Sequence, residues 1–197
     1  MSDPPRVLVV GLGAVGGLVA SGLAAGGARV VGLDPAPRGA IPGVAVRRPG
    51  EPLDPDLEVA VLATRATLAR EALAPVPPAL PVVAVHNGFH PDLGRDRPGP
   101  VLRGVVDFAA SRRGDDLVCT RPGALYLERA PATERLASAF GSGPVSVRLC
   151  DDVERHQWSK LLFNASLDPV AALAGKTLGE VLSDRTTFLQ FRRLFVE

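Results

Sequence analysis

The sequence predicts an α/β fold: a doubly wound parallel sheet followed by a short all-helical segment. Three observations predict it. Short, continuous Val- and Ala-rich runs alternate with helix-forming stretches between residues 7 and 85. A glycine-rich turn joins the first run to the first helical stretch. After Asp151 the strand-like runs stop and the texture becomes helical.

Taken in order, Val7 to Val10 is an apolar run ending in glycine, as a buried parallel strand would be. Ala14 to Ala25 has helical composition, and Arg29 to Leu33 is a second Val-rich run, which completes a βαβ unit. Val59 to Ala63 and Val82 to Val85 flank a helical candidate, Ala66 to Ala74, while the Pro-rich stretches 35–52 and 75–81 read as connections. Strands alternating with helices in this way imply a parallel sheet covered on both faces. From Val101 the runs Val101 to Ala109, Asp116 to Cys119 and Ala124 to Leu127 follow one another without helices. A helix over Thr133 to Phe140 and a strand over Val145 to Leu149 come next. Two helical stretches close the chain, Asp152 to Ala174, with a kink or break expected near Asp168 ahead of Pro169, and Leu178 to the end. A domain boundary is expected near Cys150, dividing residues 1–150 from 151–197.

Composition narrows the function. Of 197 residues, 46% are apolar, 22% charged and 5% aromatic, with a net charge of +1. That apolar share builds a core and excludes a disordered or fibrous chain. At about 150 residues per domain, the length suits one domain and part of a second. The near-balance of charge provides no field that would favour nucleic acid or an anionic membrane as partner. Two cysteines, Cys119 and Cys150, make no disulfide framework, and no Cys/His cluster has metal-ligand spacing, so no metal is expected. The uncharged run Val7 to Ala28 holds seven glycines in twenty-two residues, a poor lipid-facing helix. A cytoplasmic protein is the expectation.

Gly11-Leu12-Gly13-Ala14-Val15-Gly16 is a GxGxxG turn between a strand and a helix. Its glycines permit a tight turn, close backbone approach to a pyrophosphate and close helix–strand packing, and the helix start offers free N–H groups. Asp34, closing the second strand, can accept hydrogen bonds from ribose hydroxyls, which leans towards NAD; the alternative is a structural turn residue before Pro35. Arg38 could neutralise Asp34 or hold the extra phosphate of NADP instead.

Twenty of the basic residues are Arg and only Lys160 and Lys176 are Lys, so a lysine's position is informative. Lys160, Asn164 and Asp168 recur at steps of four, successive members about 6 Å apart along a helix. Their neighbours are Leu161, Leu162, Phe163, Ala165 and Leu167. A polar row through such a helix must face water or a lined cavity.

Gly11 to Gly16, Ala63-Thr64-Arg65-Ala66, His86-Asn87-Gly88 and Trp158-Ser159-Lys160-Leu161 with Asn164 and Asp168 together resemble the ketopantoate reductases (2-dehydropantoate 2-reductases). The resemblance implies a Rossmann-type doubly wound sheet followed by a truncated all-helical second domain. It also implies reduction of ketopantoate or a related 2-keto acid with NADP or NAD, in pantothenate biosynthesis. By similarity Lys160 stabilises the developing oxyanion and donates the proton, Asn87, Asn164 and Asp168 contact substrate, and Arg65 and Asn87 contact cofactor. Two departures stand out: the family usually has Asn at Asp168 and Lys at Arg65. An ionised Asp168 would repel a substrate carboxylate unless a cation such as Lys160 compensates it. Family members continue through helices carrying a serine and a glutamate of the substrate site, which this sequence lacks. Weak activity is the expectation that follows, with alternatives in a non-catalytic dinucleotide-binding remnant or sensor, or a site completed by another chain, a homo-oligomer included.

Overall fold

The computed structural model describes residues 3–90 and 92–196. The chain resolves into two compact units, residues 1–153 and 154–197.

The first unit is built on an eight-stranded, mainly parallel sheet. Its elements are β1 (Arg6–Val10), α1 (Ala14–Ala25), β2 (Arg29–Leu33), β3 (Val44–Arg47), β4 (Val59–Leu62), a 3-10 turn (Ala66–Leu68) running into α2 (Ala69–Leu73), β5 (Val82–Ala84), β6 (Val101–Arg113), β7 (Asp116–Glu128), α3 (Pro131–Ser138) and β8 (Val145–Cys150). The strands lie in the order β3-β2-β1-β4-β5-β6-β7-β8. All pairs are parallel except β6 with β7.

Alternation along β1 shows how the sheet is covered. Val7 and Val9 pack with Val19, Leu23 and Leu136 of α1 and α3, while Leu8 and Val10 pack with Ala69 and Leu73 of α2 on the opposite face. With strands buried on both faces, an unbroken apolar run is what the sheet requires.

Three elements depart from the sequence reading. β3 lies inside the Pro-rich stretch expected to be a connection; it is a four-residue edge strand paired only with β2, too short and half-exposed to announce itself. The expected strands Asp116 to Cys119 and Ala124 to Leu127 are one strand, β7. Its register shifts opposite Asp107 to Ala110, and this irregularity absorbs Pro122 and Gly123. A Cβ at Gly123 would run into the Asp107 carbonyl. The third helix starts earlier than expected, with Pro131 in its first turn. The Thr133 hydroxyl accepts the Ala130 N–H at 2.9 Å and donates to the Glu128 carbonyl at 2.6 Å.

The second unit comprises α4 (Val153–Ala174), α5 (Leu178–Ser183) and α6 (Arg185–Val196). Its core is Leu167, Val170, Ala171, Val181 and Phe191. α4 runs through Pro169, so the break expected there does not occur. The carbonyl that loses its partner belongs to the exposed Ala165, where water can satisfy it. The helical stretch from Leu178 is divided, because Asp184 stops α5 and caps α6. Its Oδ1 accepts the Thr186 and Thr187 N–H groups, both at 3.0 Å.

Candidate functional site

The order of the sheet reverses between β1 and β4, and the carboxyl ends of β1, β2, β4 and β5 reach one edge. In open α/β sheets this switch point is where ligands bind. The edge gathers the glycine turn, Asp34, Arg65 and Asn87.

Each glycine of the turn has its own reason. Gly11 has φ +87°, and a Cβ there would meet the Thr64 Cγ2 at 2.9 Å. A Cβ at Gly16 would drive into the Gly11 carbonyl and press on Ala63, so this glycine lets α1 lie against β1 and β4. Gly13 is different: it is exposed, and a Cβ there would meet nothing within 4 Å. α1 begins at this point with no side-chain cap and no acidic residue in its first turn. An open space above Gly13, in front of uncapped N–H groups, is a cradle that fits a pyrophosphate. Leu12 is buried and both its backbone groups are engaged within the protein. The N–H groups left for a ligand therefore begin at Gly13, followed by Ala14 and Val15.

Asp34 accepts the Leu12 N–H through Oδ2 at 2.7 Å and the Ala36 N–H through Oδ1 at 2.8 Å. It thus braces the glycine turn and closes its own turn, and each oxygen keeps a lone pair with which to accept from a ribose hydroxyl. Arg38 is exposed on the following loop, with its carbonyl bound by Arg112 at 2.8 Å. Arg65 is exposed directly ahead of the 3-10 turn after β4, and Asn87 is exposed just beyond β5.

Two residues at this edge escaped selection from sequence. Thr64 and His86 each lie two positions past the register pair Leu62 and Ala84. The Thr64 hydroxyl and His86 Nε2 are buried without a hydrogen-bond partner. The His86 and His90 rings meet edge-on at 4.7 Å, and burial holds the His86 imidazole below its usual pKa range. Both residues sit inside the matched motifs, and that was the available signal.

In the helical unit, Lys160, Asn164 and Asp168 all lie on α4. Lys160 and Asn164 are half-buried and Asp168 is exposed. An α-helix advances about 40° with each step of four, which carries Asp168 roughly 80° around the axis from Lys160. Cys119 and Cys150 are free thiols. Among the described residues no group of three or more His, Cys, Asp and Glu could hold a metal ion, and no helix is long and apolar enough to cross a membrane.

Fold and site edge define a class, the α/β chains with a Rossmann-type glycine turn at a sheet switch point. Comparison with known proteins adds a match over the helical residues and a shared fold. Residues 152–197 match the family described as ketopantoate reductase PanE/ApbA C terminal. No curated protein matches it. The fold is shared with 2-dehydropantoate 2-reductase from Methylococcus capsulatus, at 20% identity and a TM-score of 0.77, over 96% of this chain and 72% of that one. It is also shared with the dimeric ketopantoate reductase from Staphylococcus aureus, at 17% identity and a TM-score of 0.73, over 96% and 76%. D-mandelate dehydrogenase, solved with NADH and anilino(oxo)acetate, has the same fold at 12% identity and a TM-score of 0.75, over 92% and 68%.

Proposed function

We propose that this chain is an NAD(P)H-dependent reductase that converts ketopantoate or a related 2-keto acid into the 2-hydroxy acid. The observation that carries the reading is the open, uncapped cradle at Gly13 on the sheet's switch-point edge. The family match of the helical residues supports the same reading. A structural relative solved with NADH and an oxo acid supports the cofactor and substrate classes.

Gly13, Ala14 and Val15 hold the pyrophosphate, Asp34 and Arg38 meet the adenosine ribose, and Arg65 and Asn87 serve the rest of the dinucleotide. When bound, the nicotinamide supplies hydride to the ketone carbon. As the C=O bond becomes C–O, negative charge builds on oxygen, and Lys160 stabilises it and gives up a proton to form the hydroxyl. Asn87 and Asn164 orient the substrate through neutral hydrogen bonds. Asp168 is acidic where the family carries Asn, and its exposure to water screens its repulsion of a substrate carboxylate. A homo-oligomer is compatible with the dimeric relative.

The test is oxidation of NADH and of NADPH in the presence of ketopantoate and a panel of 2-keto acids. Turnover of at least one acid is expected. Dinucleotide binding without turnover of any would favour a non-catalytic role.

A further inference from the structure

The turn between β6 and β7 reaches back over the glycine turn, and one side chain fastens it there. Arg112 Nη2 donates to the Leu12 carbonyl at 2.8 Å. Its Nη1 donates to the Arg38 carbonyl at 2.8 Å and to the Asp115 carbonyl at 3.2 Å. Arg112 is one hundred residues from Leu12 in sequence, so one planar guanidinium joins three separate loops. Its Nε is buried without an acceptor. Arg112 is half-buried, and leaving its buried Nε–H unsatisfied is a cost that the other hydrogen bonds of the guanidinium offset.

Neighbouring contacts seat the hairpin in the same place. Leu117 packs where a Cβ on Gly17 of α1 would stand, and Asp115 lies against Gly39, one residue past Arg38. The loops that Arg112 joins are those that frame the adenosine end of the cradle. Leu12 precedes the open N–H groups, and its own N–H is held by Asp34. Arg38 lies four residues beyond Asp34.

We infer that Arg112 is a positioning residue for the adenosine half of the dinucleotide. It ties the hairpin tip to Leu12 and Arg38, so that the glycine turn and the loop after β2 form one preset wall. This rests on the dinucleotide reading above. A cradle set before the ligand arrives spends less of the binding energy on ordering loops. The guanidinium also places a fixed positive charge behind a turn that receives an anion. A lysine could not reproduce the arrangement, because a single ammonium has no planar fork with which to span two carbonyls.

The experiment measures affinity and stoichiometry together. Wild type, Arg112→Ala, Arg112→Lys and the exposed neighbour Arg113→Ala are titrated with NADH and NADPH, and with 5′-ADP by displacement of the tighter-binding dinucleotide. Wild type and Arg113→Ala are expected to bind alike. Arg112→Ala should weaken the dinucleotide and ADP by a similar factor, about tenfold or more, at unchanged stoichiometry. Arg112→Lys should recover only part of the loss. Unchanged ADP affinity in Arg112→Ala overturns the inference while the dinucleotide reading stands. So does a loss that shows only as lowered stoichiometry, the mark of an unfolding fraction. Wild type that binds neither dinucleotide overturns both. If Arg112→Ala does not fold, hydrogen exchange on wild type decides: dinucleotide should protect amides of residues 112–117 together with those of 11–16. Protection confined to 11–16 overturns the inference.

Discussion

The Asp34 carboxylate accepts the backbone N–H of Leu12 at 2.7 Å, so the acidic residue that closes β2 also holds the glycine turn at the end of β1. An acidic residue here therefore does two separable things. It shapes the turn through a hydrogen bond and, on the dinucleotide reading proposed above, its charge disfavours the extra phosphate of NADP.

Asp34→Asn separates these roles. The amide oxygen keeps one acceptor for a backbone N–H and the charge is removed. Relative affinity should move towards NADPH over NADH by about tenfold, or 1.4 kcal/mol. Asp34→Ser, too short to brace Leu12, should make the same shift but weaken both dinucleotides. Calorimetric titration of both cofactors checks this, and a wild-type preference for NADPH of tenfold or more would mean that Arg38 dominates.

Gly13 and Gly16 should fail in different ways. Gly13→Val fills open space, so it should abolish dinucleotide binding with little change in Tm. Gly16→Ala forces a Cβ into the Gly11 carbonyl, and overpacking of this kind costs about 1–3 kcal/mol. Thermal melts read beside calorimetry distinguish the two.

The helical unit should loosen in acid. Backbone N–H donation from Thr187, then Lys176 at 2.9 Å, brings the Asp184 carboxyl down from its usual 3.8 to about 2. A carboxyl depressed in the folded state stabilises that state above its unfolded pKa, and the contribution fades as pH falls from about 4 through 2. Protection of the α6 amides, taken relative to their intrinsic exchange rate at each pH, should therefore fall over that window. In Asp184→Ala the amides should already exchange faster at neutral pH and should lose this acid dependence.

Much of the sheet was legible because burial on both faces demands apolar runs, and Ala14–Ala25 and Arg29–Leu33 begin and end where their composition says. β3 was not legible, since an edge strand with one partner needs only four residues and tolerates half-exposure. Pro169 misled as to a break because α4 leaves Pro169 and Ala165 exposed, so water can take up the carbonyl that loses its partner. At the candidate site the glycine turn was legible from local chemistry. Arg112 was not: among twenty arginines nothing in the sequence marks the one whose hairpin folds back to Leu12.

The central claim is tested most directly by comparing wild type with Lys160→Ala in the oxidation of NADH and NADPH by ketopantoate and other 2-keto acids. Losing a positioned acid costs roughly 10²–10⁴-fold in rate. Wild type should turn over at least one acid, and Lys160→Ala should lose kcat by a factor in that range with dinucleotide affinity unchanged. Turnover that survives Lys160→Ala would contradict the account.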